Sequence, residues 1–270
     1  MIRIAEIVQE KKARVRAVVE RYPAGSIHLA ILQVGDHPAS TVYIRGKLRD
    51  CAEVGIVGEH YHYPADAAPE ELLARIDALN RDPLCRGIIV QLPLPFSKAD
   101  EQRVLDAIVP EKDVDGFRRD SAHVSCTPRG ILSVLRHVAD VRGWDGLAGK
   151  VVCVVGRSRI VGKPTAALLI DEGCTVVSCN SHTVDLDRWL AQADIIVCAV
   201  GQADFLHPGR AVDYRDKVIL DVGINRDADG HLCGDCSRAL YDTVEWITPV
   251  PGGIGLMTRV SLLENVVDGL

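Results

Sequence analysis

Val151-Val-Cys-Val-Val-Gly156-Arg-Ser-Arg-Ile-Val-Gly162-Lys-Pro164 is the stretch that decides the fold. Its apolar, mostly β-branched start reads as a buried strand, Gly156 closes that strand, and Gly162 opens a helix. A glycine behind a first strand lets backbone approach a phosphate closely. The helix N-terminus that follows offers unpaired N–H groups and the positive end of a dipole. The spacing is G-x5-G rather than G-x-G-x-x-G. Taken alone, the stretch therefore fits a tight structural turn as well as a nucleotide site.

The second strand of the unit narrows the choice. Dinucleotide folds that take NAD place Asp or Glu about 20 residues after the first glycine, on the ribose hydroxyls. Here the region reads Ser178-Cys-Asn-Ser-His-Thr183, with no acid. A carboxylate there would repel a 2′-phosphate. Its absence, with Arg157 in the first turn and Ser181 after the second strand, favours NADP over a reading of Arg157 as a solvated loop charge.

Outward from this unit, apolar runs alternate with amphipathic stretches. Strands are expected at Thr175–Ser178, Asp194–Val200 and Lys217–Val222, with helices at Gly162–Asp171 and Asp185–Gln192. Upstream, strands at His28–Val34, Val57–Tyr63 and Gly87–Gln91 alternate with helices near Ser40–Val54, Pro69–Leu79 and Asp100–Ile108. Such alternation implies βαβ units and parallel sheets. The stretch from Asp113 to Pro128 is polar and aperiodic and marks a domain boundary, followed by a helix over Arg129–Val138. A last helix, Leu256–Asp268, follows a Pro-Gly turn. The fold class is α/β in two lobes with a cleft between them. Residues 1–127 form the first lobe, completed by a C-terminal helix within 254–270, and residues 128–253 form a Rossmann-type lobe.

Bulk properties exclude other classes. The 270 residues are 47% hydrophobic and 25% charged, the mix of a folded globular protein rather than a disordered one. The net charge of −6 disfavours a general nucleic-acid binder. No apolar run approaches the roughly 20 residues of a membrane span, and Met1–Glu20 is charged without an apolar signal core, so a cytoplasmic location is expected. Nine scattered cysteines, several inside apolar runs, read as reduced, buried thiols. Cys233-Gly-Asp-Cys236 has only His231 as a nearby further ligand. It reads as a turn with two small residues rather than a zinc site, and no metal is expected.

Three segments carry candidate chemistry. Tyr43 and Lys47, four residues apart, share one helix face; that pair alone also fits a surface tyrosine beside a solvated lysine. Gly87-Ile-Ile-Val-Gln91-Leu-Pro-Leu-Pro95 is a buried strand ending in glutamine, at the end where ligands gather in open α/β sheets. Glu111-Lys-Asp-Val-Asp115-Gly-Phe117 places acids in a turn at the lobe boundary.

Together these segments resemble the bifunctional methylenetetrahydrofolate dehydrogenase/methenyltetrahydrofolate cyclohydrolase family. The resemblance rests on Pro-Ala-Ser-x-x-Tyr-x-x-x-Lys ending at Lys47, Val90-Gln-Leu-Pro-Leu-Pro95 and Lys112-Asp-Val-Asp-Gly116. It continues through Cys126-Thr-Pro-x-Gly130, Val155-Gly-Arg-Ser-x-Ile-Val-Gly162, Asp221-Val-Gly-Ile-Asn-Arg226 and Ile247-Thr-Pro-Val-Pro-Gly-Gly253. The motifs fall in family order from about residue 28 to residue 265.

The resemblance implies a folate substrate, NADP as cofactor and a homodimer through the nucleotide lobe. It makes Lys47 the acid/base residue, Gln91 its partner, Tyr43 a stacking surface and Asp115 a partner of the pterin ring. Val90, Leu92, Pro251, Gly252 and Gly253 would line the folate side. Gly156, Arg157, Ser158, Ser181 and Ile224 would contact the dinucleotide. The residue types suit the chemistry. Hydride loss leaves a cation stabilised by two flanking nitrogens, so positioning matters most. Hydrolysis also moves protons, which a lysine does when its surroundings favour the neutral form, and Gln91 orients it without adding charge.

The chain departs from the family pattern at three places. Arg118–Ser125 is a short segment, Leu256 stands where proline is usual, and His182 stands where a Lys or Arg commonly precedes the threonine. Alternatives are a member with dehydrogenase activity alone, another NADP-dependent dehydrogenase such as a shikimate- or amino-acid-dehydrogenase relative, and a non-catalytic folate-binding protein. Val90–Pro95 together with Tyr43 and Lys47 argues against the second, and intact Lys47, Gln91 and Asp115 against the third.

Overall fold

The computed structural model describes residues 1–268 and Leu270. The chain divides into two compact units, Gln9–Cys126 with Arg259–Leu270, and Met1–Val8 with Thr127–Thr258.

In the first of these, helix α1 (Ile4–Val19, from Gln9 onward) is followed by β1 (His28–Val34), α2 (Pro38–Val54), β2 (Val57–Tyr63), α3 (Pro69–Arg81), β3 (Cys85–Val90) and α4 (Lys98–Asp106). The strands form a parallel sheet in the order β2-β1-β3. Burial on both faces accounts for the apolar run Leu29–Leu32 of β1. Leu29 and Ile31 pack in one core cluster with Val15, Ile44, Val54 and Ile89. Ala30, Leu32 and Val34 point the other way, into a cluster with Leu72, Ile76, Val104 and Leu105. Each large aliphatic side chain so buried contributes roughly 1.5–3 kcal/mol. Edge strand β2 is only half buried, which is why His60 and His62 are tolerated there.

Local signals set the helix bounds. Pro38 opens α2 and Gly55, at φ 85°, ends it in the left-handed region. Ser97 caps α4 by accepting from the Asp100 N–H at 3.1 Å.

The second unit runs through α5 (Cys126–Arg142, its first residue lying in the other unit), β4 (Val151–Val155), α6 (Gly162–Asp171), β5 (Thr175–Cys179), α7 (Leu186–Gln192), β6 (Ile195–Cys198) and β7 (Val218–Asp221). A hairpin of β8 (Asn225–Arg226) and β9 (Leu232–Cys233) precedes α8 (Arg238–Thr243), β10 (Trp246–Ile247) and α9 (Ile254–Val267). The larger sheet is parallel, ordered β10-β7-β6-β4-β5. The chain leaves β4 for β5 on one side and then returns to β6 on the other. The ends of β4 and β6 therefore form a topological switch point.

Most expected elements are present, with shifted ends. The helix expected from Arg129 begins at Cys126, the last helix at Ile254, and the strands expected at Asp194–Val200 and Lys217–Val222 are shorter. Helix α1 was not expected, although Ile4, Ile7, Val8, Val15 and Val19 are buried at helical spacing; its charged surface hid the period. Strand β10 and the hairpin are too short for a periodic signal. From Arg259 onward, α9 packs Leu262, Leu263, Val266 and Val267 into the first unit's core. No helix among the described residues is long and apolar enough to cross a membrane.

Candidate active site

The first unit gathers Tyr43, Lys47, Gln91 and Asp115. Lys47 and Tyr43 project from α2, which follows β1, and Gln91 follows β3, so all stand at the C-terminal ends of adjacent strands. The Gln91 N–H continues the ladder by donating to the Leu32 carbonyl at 2.8 Å. Asp115 arrives because residue 113 bridges to Ile88 beside β3. Gly87 permits this approach, since a Cβ there would press on both methyls of Val114.

Lys47 is only 4% exposed. Its Nζ donates to Gln91 Oε1 at 3.3 Å, stands 3.9 Å from Asp115 Oδ2, and lies 5.2 Å from the centre of the Tyr43 ring. The reading of Tyr43 and Lys47 as a solvated surface pair is thereby excluded for Lys47. Asp115 adds a charge partner to Lys47 that the sequence reading gave only to the pterin ring. Gln91 Nε2 donates to the Leu92 carbonyl at 3.0 Å, and Ser40 Oγ reaches the same carbonyl at 3.4 Å. The Leu92–Pro93 peptide is cis. Val90 is buried and Leu92 half buried.

The short segment after Asp115 closes on itself. Asp113 Oδ2 accepts from the Arg118 N–H at 2.9 Å and its carbonyl from Ser121 Oγ at 3.1 Å. Burial pushes the Asp113 carboxyl above the usual range, against the pull of these hydrogen bonds. Asn265 of α9 donates to the carbonyls of Val114 at 2.7 Å and Val124 at 2.9 Å. The eight residues therefore form a fastened loop.

The second unit holds Gly156, Arg157, Ser158, Ser181 and Ile224 on the loops after β4, β5 and β7, together with Pro251, Gly252 and Gly253 in the turn before α9. Gly156 has φ 113°, and a Cβ there would overlap the Ala199 carbonyl oxygen; a Cβ on Gly162 would overlap the Gly156 carbonyl oxygen. Both glycines thus let the turn after β4 pack its backbone closely against the loop after β6 and the start of α6, at the switch point. Ser158 Oγ accepts from the N–H groups of Val161 at 3.2 Å and Gly162 at 3.3 Å. The exposed Arg157 donates to the Ser178 carbonyl, beside the loop carrying Ser181 and His182. Ile224 is 66% exposed. Gly130 of the Cys-Thr-Pro-x-Gly motif makes room for Met257.

Two networks escaped the sequence reading. Asp50, on the Tyr43–Lys47 face of α2, stands 2.7 Å from Lys12 Nζ and 2.9 Å from Arg259 Nε. Gly46 leaves the notch in which the Arg259 guanidinium lies. In the second unit, the buried carboxylates of Asp221 and Asp235 fasten the loops after β6 and β7. An acid at i+3 from Lys47 and the acid inside Cys233–Cys236 were the available signals.

The fold and these sites define an α/β protein that pairs a parallel-sheet unit bearing a buried lysine with a Rossmann-type dinucleotide unit. Residues 2–115 match the model of the tetrahydrofolate dehydrogenase/cyclohydrolase catalytic domain, and residues 125–270 that of its NAD(P)-binding domain. The chain belongs to the tetrahydrofolate dehydrogenase/cyclohydrolase family. A bifunctional protein FolD from Polaromonas naphthalenivorans is 44% identical over 255 residues, covering 89% of this chain and 86% of the relative. Among solved structures, a bifunctional FolD methylenetetrahydrofolate dehydrogenase/cyclohydrolase from Campylobacter jejuni superposes with a TM-score of 0.86 at 36% identity, covering 98% of this chain and 94% of that one. A methylenetetrahydrofolate dehydrogenase-cyclohydrolase from Trypanosoma brucei, complexed with NADP and an inhibitor, gives 0.82 at 30% identity, covering 97% and 93%.

Proposed function

We propose that this protein oxidises 5,10-methylenetetrahydrofolate to the 5,10-methenyl form with NADP, and hydrolyses the latter to 10-formyltetrahydrofolate. The observation that carries this reading is the buried Lys47 amine, held at 3.3 Å from Gln91 and 3.9 Å from Asp115 above the Tyr43 ring. In this reading, residues 1–127 with 254–270 serve the folate and residues 128–253 the dinucleotide. When bound, NADP accepts the hydride from the methylene carbon. Gly156, Gly162 and Ser158 would hold its pyrophosphate and Arg157 with Ser181 its 2′-phosphate. Val90, Leu92, Pro251, Gly252 and Gly253 would line the folate side, and Ile224 the dinucleotide.

The folate's own nitrogens carry the positive charge left by hydride loss, so the protein's part in that step is alignment. In the second step water adds to the methenyl carbon. The added water gives up both of its protons, N5 takes up one and the other is released, and the carbon–N5 bond breaks to leave the formyl group on N10. Lys47 sits to move these protons, Gln91 to aim it, Tyr43 to stack on the ring system and Asp115 to fix the pterin. Absorbance assays with methylenetetrahydrofolate and NADP, then NAD, should show methenyl formation followed by its accelerated decay. Formation without decay above background leaves a dehydrogenase alone, and neither leaves a binding protein. We also infer a cytoplasmic homodimer paired through the nucleotide unit; sedimentation as a monomer at micromolar concentration contradicts the dimer.

Cofactor choice has its own test. Arg157→Ala should raise KM for NADP about tenfold or more and leave KM for NAD little changed, because a charged hydrogen bond contributes about 1.5–3 kcal/mol. Equal effects on both cofactors would remove Arg157 from the 2′-phosphate.

A further inference from the structure

The Cys233-Gly-Asp-Cys236 turn places its two middle residues at the centre of the second unit's hydrogen bonding. Asp235 is fully buried. Its Oδ2 accepts from the N–H groups of Val200 at 2.7 Å and Gly201 at 3.2 Å, and its Oδ1 from Gln202 N–H at 2.9 Å and Asn225 Nδ2 at 2.9 Å. Three consecutive amides of the loop after β6 and the Asn225 side chain, where the loop after β7 enters β8, thus share a single carboxylate.

Asp221, also fully buried at the end of β7, secures Asp235 in turn. Its Oδ1 accepts from the N–H groups of Gly223 at 3.1 Å and Asp235 at 2.8 Å, and its Oδ2 from Cys236 N–H at 2.9 Å and the Tyr241 hydroxyl at 2.7 Å. Glycines make the two approaches possible. A Cβ on Gly223 would overlap the Asp235 carboxylate, and one on Gly234 the Asp221 carboxylate. The loop held by Asp235 begins at Ala199, whose carbonyl faces Gly156 in the turn proposed above to hold the pyrophosphate. The other loop carries the exposed Ile224.

We propose that Asp235 is a positioning residue for the dinucleotide, tying the loops after β6 and β7 into one wall of the crevice at the switch point. The proposal rests on the NADP reading given above. A carboxylate suits the task because four donors converge on its two oxygens, and of these only Asn225 Nδ2 also reaches a second acceptor, the Gly234 carbonyl at 3.0 Å. An amide in its place always presents an NH2 to one pair of donors, so Asp235→Asn breaks two of the four bonds in either orientation. Losing two charge-assisted bonds frees the loop that Gly156 faces.

The test is direct NADPH binding by fluorescence titration to wild-type, Asp235→Asn and Asn225→Ala proteins, with thermal unfolding of each. The dehydrogenase-to-cyclohydrolase ratio supplies a second readout, since only one of the two steps uses the dinucleotide. Asp235→Asn is expected to weaken NADPH binding by at least about tenfold and to lower the ratio alongside. Asn225→Ala, which removes the side-chain bonds to Asp235 and the Gly234 carbonyl but leaves the three loop amides on Asp235, is expected to have a smaller effect in the same direction. A folded Asp235→Asn protein that binds NADPH within twofold of wild type, even with a lowered Tm, overturns the proposal. If Asp235→Asn does not fold, unchanged NADPH affinity in Asn225→Ala overturns it instead. A wild-type protein that binds no NADPH removes the NADP reading itself.

Discussion

Lys47→Met is expected to lower cyclohydrolase activity by about 10²–10⁴-fold, the usual contribution of a positioned acid/base group. Methionine keeps the length and the apolar stem, so the space beside Gln91 and Tyr43 stays filled while the proton-bearing amine is gone. Dehydrogenase activity should fall less, because the folate's nitrogens stabilise the cation without help from the lysine. Methenyl formation and methenyl decay, measured separately across pH, distinguish the outcomes. Unchanged decay would take Lys47 out of the mechanism. Equal collapse of both steps would make it a folate-binding residue, with Asp115 and Gln91 fixing its place for binding rather than for proton transfer.

Asp50→Asn is expected to destabilise the protein by about 3 kcal/mol, near the lower end for breaking a buried ion pair. Asp50 is 3% exposed and contacts both Lys12, at 2.7 Å, and Arg259, at 2.9 Å. Removing its charge leaves Arg259 facing an amide in the notch above Gly46. Lys12 keeps Glu53, 2.7 Å away, which is why the loss is not larger. Burial opposes the charge on Lys12, but the hydrogen bonds to Asp50 and Glu53 outweigh it and hold its pKa above the ordinary 10.5. A lysine raised on folding contributes stability that is complete below 10.5 and is lost as pH climbs through the folded value. The effect of Asp50→Asn should therefore be full at neutral pH and shrink in strong alkali. Urea unfolding followed by far-ultraviolet circular dichroism is the measurement. A midpoint corresponding to less than about 0.5 kcal/mol of change would mean that water already screens the cluster.

What could be read without coordinates was whatever depends on neighbours along the chain. Runs such as His28–Val34 and Val151–Val155 announce doubly covered strands because both faces are buried, and period alone reports that. The Gly156-to-Gly162 turn, the missing acid after β5 and the family motifs pointed to the dinucleotide before any fold was seen. The same local logic failed for α1, where charged residues interrupt the apolar stripe, and for Trp246–Ile247, which is too short to show a period.

Tertiary structure decided what depends on residues distant in sequence. Tyr43 and Lys47 could have been a solvated pair until Gln91, 44 positions further on, was found 3.3 Å from the amine. The 3.9 Å approach of Asp115 needed the bridge between Ile88 and Asp113 to bring that turn beside β3. Asp50 reads as one more helix-surface acid, and Asp235 as the middle of a cysteine turn. Each is buried among donors supplied by elements tens of residues away. The physical reason is the same in all four cases. A chain's periodicity records which face of an element is buried, but the partners of a buried polar group are fixed only when separate elements pack, and no spacing along the sequence encodes that distance.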